Sequence, residues 1–122
     1  MILILTAGFG DGHNTAARSL AQALQSRLSA EQEPVLVVDL FAQRFPLLTR
    51  FLQAAYQLAI VSYPGVWRWA YQKLATSDLG HQPNPLNLAL QKALSELLRL
   101  HQPRAIVSTY PFYSTLLAPI RE

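Results

Sequence analysis

The feature that most constrains this chain is the order of four segments in its first third. A short apolar run at residues 2–5 is followed by the glycine-rich loop 8–14, GFGDGHN. Apolar residues then recur on one helical face over residues 15–28, and a second apolar run covers residues 35–38 and ends at Asp39. This order of buried strand, loop, helix and buried strand predicts a βαβ unit, with parallel strands and a right-handed crossover.

The rest of the chain continues the alternation of helices and strands. The predicted elements are helices over 47–62, 66–77 and 86–101, a loop over 80–85, a strand over 105–108, a turn over 109–111 and a helix over 112–121. The expected fold class is therefore α/β, a Rossmann-like three-layer domain with a parallel sheet. Open parallel sheets usually contain more than three strands, so we expect residues 1–122 to form an incomplete, truncated domain.

The composition excludes several classes of protein. Hydrophobic residues make up 51% of the chain and charged residues 14%, whereas disordered chains are poor in hydrophobic residues and rich in net charge. The absence of cysteine excludes disulfide frameworks, cysteine-ligated zinc and thiol nucleophiles. The eight arginines and two lysines are scattered, whereas nucleic-acid-binding proteins usually cluster them, so we expect no nucleic-acid partner.

Residues 40–77, which we call the acid-free segment, contain no aspartate or glutamate. The segment carries four of the ten basic residues and eight of the twelve aromatic residues. This composition is expected of a surface that rests on an anionic membrane. A buried helical hairpin whose aromatic rings fill the core would explain it equally well. The residues predicted to face the membrane or a bound lipid are Phe41, Phe45, Trp67, Arg68, Trp69 and Tyr71.

The glycine-rich loop between the first strand and the helix predicts an anion-binding site. Backbone N–H groups at a helix N-terminus attract negative charge, and glycines let a ligand come close to the backbone. The dinucleotide fingerprint requires glycine at position 13, where this chain has histidine, and the P-loop lysine is missing after Gly12. The loop is therefore suited to phosphate but belongs to neither common nucleotide-binding class.

His13 is the candidate for acid–base chemistry in this loop. It follows the carboxyl end of a parallel strand, where α/β proteins bind ligands. A helix N-terminus favours the neutral imidazole, which can accept a proton as a general base. A lone histidine is more often structural, but the loop context favours a functional one here. We interpret His81 and His101 as structural, and the spacing of the three histidines fits no metal site.

Two further groups end strands at the same predicted edge of the sheet. Asp39 ends the second strand, where dinucleotide folds place a ribose-binding carboxylate, but it could equally cap the following turn. The third strand ends in Ser108-Thr109-Tyr110-Pro111, whose hydroxyls could touch a ligand or belong to a proline-anchored turn. Thr109 and Pro111 are therefore candidate substrate-binding residues.

Four ordered segments of the chain resemble one protein family. They are residues 2–13 (ILILTAGFGDGH) with Ala16-Ala17 and Ala23-Leu24, residues 37–40 (VVDL), residues 64–71 (PGVWRWAY) and residues 102–111 (QPRAIVSTYP). These segments are similar to monogalactosyldiacylglycerol synthases and to the related processive diacylglycerol glucosyltransferases of bacteria. The loop alone would be a weak signal, whereas four segments in order, spread over nearly the whole chain, are fairly specific.

The resemblance implies a GT-B glycosyltransferase of two Rossmann-like domains, with the lipid acceptor on the N-terminal domain and the UDP-sugar on the C-terminal one. Residues 1–122 would be most of the acceptor-binding domain, without the donor-binding domain, and would be inactive alone. In such enzymes His13 would deprotonate the diacylglycerol hydroxyl, which attacks the anomeric carbon with inversion and without a metal or other cofactor. Gly10 and Gly12 would face the donor diphosphate across the cleft.

The resemblance also assigns a role to the acid-free segment. It would dock on an anionic membrane and guide the acceptor, and the protein would lie peripherally on the cytoplasmic face of that membrane. Two alternatives stay open. The chain could be a lipid-surface binding module without catalysis, or part of a GT-B glycosyltransferase with a polyprenyl or sterol acceptor.

Overall fold

The chain alternates strands and helices much as its sequence predicts. The computed structural model describes residues 1–8, 11–29, 31–76 and 85–120. The elements in these ranges are β1 (Ile2–Thr6), α1 (Asp11–Arg27), β2 (Val35–Asp39), α2 (Leu40–Arg44), α3 (Pro46–Ser62), α4 (Pro64–Ala75), α5 (Pro85–His101), β3 (Ala105–Ser108), α6 (Phe112–Leu117) and a 3₁₀ turn (Ala118–Ile120). Gly10, His81 and the predicted loop 80–85, apart from Pro85, lie outside the described residues.

The three strands of the described chain form one parallel sheet in the order β2-β1-β3. The central strand β1 pairs with β2 from Ile2↔Val35 to Thr6↔Asp39, and with β3 from Ile2↔Ala105 onward. Continuous apolar runs form such strands because helices cover both faces of a parallel sheet. The middle of β1, residues 3–5, is accordingly fully buried.

Helices cover both faces of this sheet, which confirms the predicted Rossmann-like α/β architecture. On one face, Ile4 of β1 packs with Ala17 and Ala21 of α1. Leu3 and Leu5 alternate with Ile4 and belong to the larger cluster on the other face. That cluster is completed by Ala7, Val38, Leu40, Phe41, Leu90, Leu94, Tyr113 and Leu116. The layers are therefore α1, the sheet, and a layer formed by α2, α5 and α6.

Several helix boundaries differ from the prediction. α1 begins at Asp11, four residues before the predicted start at residue 15. The short helix α2 precedes α3, and Pro46 and Pro64 are the first residues of α3 and α4. Proline is favoured at the first helical position because the N–H that it lacks has no partner within the helix. α4 therefore begins two residues earlier than predicted.

Candidate functional site

The loops after β1 and β3 meet at the carboxyl edge of the sheet. His13 stands in the first turn of α1, and its Nδ1 atom lies 2.7 Å from the carbonyl oxygen of Thr109, in the turn after β3. The Thr109 hydroxyl donates to the backbone carbonyl of His13 at 3.2 Å. The two segments therefore lie together, as their strand ends predict.

The ring of Tyr110 forms the apolar side of this contact. Its centroid lies 5.0 Å from that of the His13 ring, with the two planes at 70°. The same ring packs edge-on against Phe41 at 5.9 Å, and burial raises the pKa of the Tyr110 hydroxyl. The half-buried imidazole of His13 thus stands between a backbone carbonyl and an aromatic ring that belongs to the margin of the core.

Asp39 caps α2, as one of its two sequence interpretations predicts. Its Oδ1 accepts a hydrogen bond from the backbone N–H of Ala42 at 3.0 Å, and its Oδ2 accepts one from the N–H of Gly8 at 2.9 Å. The carboxylate therefore links the loop after β1 to the N-terminus of α2. Because both oxygens bond to backbone groups, the structure favours the capping function over ribose binding.

Two side chains that the sequence analysis did not assign here surround Gly8. Gln53 of α3 donates to the Gly8 carbonyl, and Asn14 accepts from the Thr6 hydroxyl at 2.9 Å. A Cβ atom at Gly8 would lie 3.1 Å from Asn14 Nδ2 and 3.2 Å from Asp39 Oδ2, so the site has no room for a larger residue. The only sequence signal for Gln53 is a polar residue in a largely apolar helix.

Tyr113 of α6 also stabilises this edge of the sheet, and the sequence alone does not indicate it. Its hydroxyl donates to the carbonyl of Thr6 at 2.7 Å and accepts from the N–H of Leu40 at 3.1 Å. Leu40 is the first residue of α2, so this hydroxyl satisfies an N–H that the helix cannot. Burial raises the pKa of Tyr113 well above its usual range. No local pattern reveals bonds between residues so far apart in sequence.

The other predicted substrate-binding residues lie near this edge or outside the described chain. Gly12 is exposed in the first turn of α1, and a Cβ atom there would meet nothing within 4 Å. Pro111 is exposed directly before α6, and Thr109 is half-buried in the turn after β3. Gly10 lies outside the described residues. Among the residues that are described, no three His, Asp or Glu side chains are grouped so that they could hold a metal ion.

The six residues predicted to face the membrane or a bound lipid do not share one surface. Phe41 is only 9% exposed and packs against aromatic rings of the turn and helix that follow β3, so it does not face a membrane. The reason is that α2 closes the core instead of joining the exposed helices. Phe45 is half-buried against the same core, with the Arg44 guanidinium 5.5 Å from its ring centroid.

The remaining four residues belong to α4. The half-buried Trp67 packs edge-on against Tyr56 of α3, with ring centroids 4.6 Å apart, and so joins the two helices. Arg68, Trp69 and Tyr71 are exposed. Of the two alternatives for the acid-free segment, aromatic rings that fill the core therefore describe α2, and an exposed surface describes much of α3 and α4.

We call the exposed apolar and basic side chains of α3 and α4 the α3–α4 surface. Its most exposed apolar residues are Leu47, Phe51, Leu58, Val61, Val66, Trp69 and Tyr71, and its basic residues are Arg50, Arg68 and Lys73. Phe51 is 69% exposed and Trp69 is 62% exposed, which is unusual for aromatic side chains in a folded domain. No helix within the described ranges is both long and apolar enough to cross a bilayer.

Comparison with known sequences identifies the family. Residues 13–122 match the family described as Monogalactosyldiacylglycerol (MGDG) synthase. The chain belongs to the monogalactosyldiacylglycerol synthase family. The resemblance inferred from the four sequence segments is thereby confirmed, and the match in this family begins at His13.

Bacterial proteins named processive diacylglycerol beta-glucosyltransferase are also similar to this member of the MGDG synthase family. The protein from Bacillus pumilus is 30% identical over 113 residues, and the one from Bacillus cytotoxicus is 29% identical over 120 residues. Each alignment covers 90% of this chain but 28% of the relative, so the chain spans little more than a quarter of their length. No solved structure matches the chain significantly.

Proposed function

We propose that the whole protein containing this chain transfers a sugar from a UDP-sugar to 1,2-diacylglycerol with inversion at the anomeric carbon. Residues 1–122 would supply the acceptor-binding part of the N-terminal domain of a GT-B enzyme, and a donor-binding domain would lie outside them. Family membership is the observation that carries this proposal, and the names of the bacterial relatives supply the acceptor class.

In this proposal His13 is the general base. Its position in the first turn of α1, at the carboxyl edge of a parallel sheet, supports that role. The imidazole takes the proton of the diacylglycerol hydroxyl while the hydroxyl oxygen bonds to the anomeric carbon. The bond between that carbon and the diphosphate oxygen breaks, and UDP leaves with the electron pair.

The groups around His13 would receive the rest of the substrates. Gly12 has open space where a side chain would stand, which supports an approach of the donor diphosphate to the N-terminus of α1, and we propose the same role for Gly10. Thr109 and Pro111 lie on the turn that contacts His13 and are proposed to line the acceptor side. An anion at this helix end would also be favoured by the helix dipole.

The α3–α4 surface is proposed to bind an anionic membrane, peripherally and on its cytoplasmic face. Exposed aromatic and aliphatic side chains next to arginine and lysine support this, because such rings enter the headgroup region while the cations attract acidic lipids. The lack of any aspartate or glutamate in residues 40–77 removes the repulsion that acidic side chains would add. The acceptor would reach His13 from that side.

Glycosyl transfer by the whole protein tests the catalytic proposal. We expect the His13→Ala variant to lose at least about 100-fold in the rate of sugar transfer from UDP-glucose or UDP-galactose to diacylglycerol vesicles, because a general base contributes about that much. The matched control is His101→Ala, at the exposed C-terminal end of α5. An unchanged rate in His13→Ala would refute the assignment of the base.

The same assay separates the alternative functions. Transfer to a polyprenol or a sterol but not to diacylglycerol would contradict the acceptor proposed here. Vesicle binding without transfer of any sugar by the whole protein would indicate a lipid-surface binding module. Either result leaves the family assignment in place and replaces the proposed activity.

Vesicle flotation tests the membrane proposal. Arg68→Gln is expected to weaken binding to vesicles rich in acidic lipids about fivefold, since one basic residue near such a surface contributes about 1 kcal/mol. The single variant Trp69→Ser should weaken binding to the same vesicles more than Arg68→Gln does. The matched controls are Arg99→Gln and Leu100→Ser, because both residues are exposed on α5. If the α4 variants and the α5 control variants lose vesicle binding equally, the α3–α4 surface is not the membrane-binding surface.

A further inference from the structure

The turn after β3 contacts His13 through three separate groups. The Thr109 carbonyl oxygen lies 2.7 Å from Nδ1, the Thr109 hydroxyl donates to the His13 carbonyl at 3.2 Å, and the Tyr110 ring lies edge-on to the imidazole. The ring and the backbone of His13 are therefore both held by the same three-residue turn. Such contacts determine which way an imidazole can face.

The contact with the carbonyl also determines where the imidazole proton stands. A carbonyl oxygen can only accept a hydrogen bond, so Nδ1 of His13 must carry the hydrogen and donate it to Thr109. In the neutral imidazole the other nitrogen, Nε2, then holds the free electron pair. A base that removes a proton from a hydroxyl must present this pair, so the carbonyl selects the tautomer that can act.

The shape of the turn depends on Ser108. Its hydroxyl donates to the Tyr110 carbonyl at 2.6 Å and accepts from the Tyr110 N–H at 3.3 Å, so it closes the turn around Thr109. The N–H of Thr109 donates to the Leu5 carbonyl at 2.9 Å, which ties the turn to the central strand. These bonds leave the Thr109 carbonyl directed at His13.

We propose that Thr109 and Ser108 set the tautomer of His13: the backbone carbonyl of Thr109 receives the Nδ1 proton, and the Ser108 hydroxyl holds that carbonyl in place. Ser108 is thus a positioning residue, which acts on the reaction only through His13. A backbone carbonyl here performs the orienting function that a carboxylate performs in the Ser-His-Asp triad. The consequence for catalysis rests on the proposed role of His13 as base. The tautomer assignment does not depend on that role, because it follows from the contact between Nδ1 and the Thr109 carbonyl.

The tautomer can be measured directly in the whole protein labelled with ¹⁵N-histidine. Two-bond ¹H–¹⁵N correlation spectra distinguish a protonated Nδ1 from a protonated Nε2, and comparison with His13→Gln identifies the His13 signals. In mildly alkaline buffer, where imidazole is neutral, we expect the Nδ1–H form in the unmodified protein. Ser108→Ala should raise the share of the Nε2–H form, and Ser108→Thr, which keeps the hydroxyl, should restore the Nδ1–H form.

The matched control is Ser26→Ala, which removes a hydroxyl that donates to the Ala23 carbonyl at 2.8 Å on the exposed part of α1. It should leave the His13 spectrum unchanged. An Nε2–H form in the unmodified protein, or a Ser108→Ala spectrum identical to the unmodified one, would overturn the inference.

Kinetics then separate a positioning role from a binding role. Ser108→Ala is expected to lower kcat between about 10- and 100-fold, as small misplacements of reacting groups do, with the KM values for both substrates nearly unchanged. A rise in KM at constant kcat would contradict a positioning role for Ser108. If His13→Ala retains full activity while the spectra show the Nδ1–H form, the proposed base is wrong but the tautomer assignment stands.

Discussion

Replacing Tyr113 by phenylalanine removes one oxygen atom and tests how the edge of the sheet is held together. The hydroxyl of this completely buried side chain donates to the Thr6 carbonyl and accepts from the Leu40 N–H. The phenylalanine ring keeps the packing against Phe41, whose ring centroid lies 5.6 Å away. The substitution therefore isolates the two hydrogen bonds from the packing of the ring.

The expected cost follows from the two backbone groups that lose this partner. A buried polar group left without a partner costs about 1–3 kcal/mol. Two such groups, with some relaxation toward water at the end of β1, give about 2–4 kcal/mol. Since 1.36 kcal/mol corresponds to a factor of ten, opening of this region should become about 30- to 1,000-fold more frequent.

Native-state hydrogen exchange of the whole protein, read by mass spectrometry, measures this opening without requiring two-state unfolding. We expect faster exchange in peptides that cover α2 and the end of β1. The control is Tyr63→Phe, because Tyr63 is exposed between α3 and α4. If exchange in α2 changes equally little in both variants, the Tyr113 hydroxyl does not hold the N-terminus of that helix, and the reasoning fails.

Three further outcomes are expected. Burial raises the pKa of Tyr113 above its usual value of 10, so the stability that its neutral form contributes should be fully present below about pH 10 and decrease progressively as the pH rises further. The melting temperature should therefore fall less between about pH 10 and 12 in Tyr113→Phe than in the unmodified protein. Gly8→Ala should destabilise the loop after β1 by about 1–3 kcal/mol, measured by hydrogen exchange, because its Cβ would lie 2.7 Å from Gln53 Nε2 and 3.2 Å from Asp39 Oδ2. Trp67→Ala should speed exchange in α4, because its pairing with Tyr56 contributes about 1 kcal/mol beyond burial.

Each of these has a control in the chain. Tyr63→Phe should show the full alkaline fall in melting temperature. Gly65→Ala, in the first turn of α4 and with nothing within 4 Å of a new Cβ atom, should not destabilise its helix, so equal destabilisation at Gly8 and Gly65 would contradict the crowding argument. Trp69→Ala should weaken vesicle binding more than Trp67→Ala and should affect exchange in α4 less, and the opposite order would reverse the roles given to the two side chains.

The strands and their parallel pairing were predictable from the sequence, because local patterns indicate both. Continuous apolar runs mark β1, β2 and β3, and the helix between the first two requires a parallel pairing. The placement of Phe41 was not predictable in this way. The composition of residues 40–77 as a whole does not distinguish α2, which closes the core, from α3 and α4, which are largely exposed. A prediction that rests on this composition therefore assigns the same surroundings to all three helices.

For the candidate site, the sequence predicts which segments of the chain meet but not which side chains bond to one another. Parallel strands end at the same edge, which brings His13 and Thr109 together, and the contact between them follows from the topology. The atoms that bond were not predictable. The Gln53 side chain bonds to Gly8, 45 residues away in the sequence, and the Tyr113 hydroxyl bonds to Thr6, 107 residues away. Local sequence patterns do not predict hydrogen bonds between residues so far apart.

The contact between His13 and Thr109 also has a consequence for the order in which the chain folds during synthesis. The two residues are 96 positions apart, so a ribosome adding about 5–20 residues per second needs about 5 to 20 s to proceed from one to the other. During that interval β1 can pair with β2, but its other edge and the faces of Leu3 and Leu5 wait for β3, α5 and α6. The nascent chain must protect an unpaired strand edge for seconds before its histidine acquires a partner.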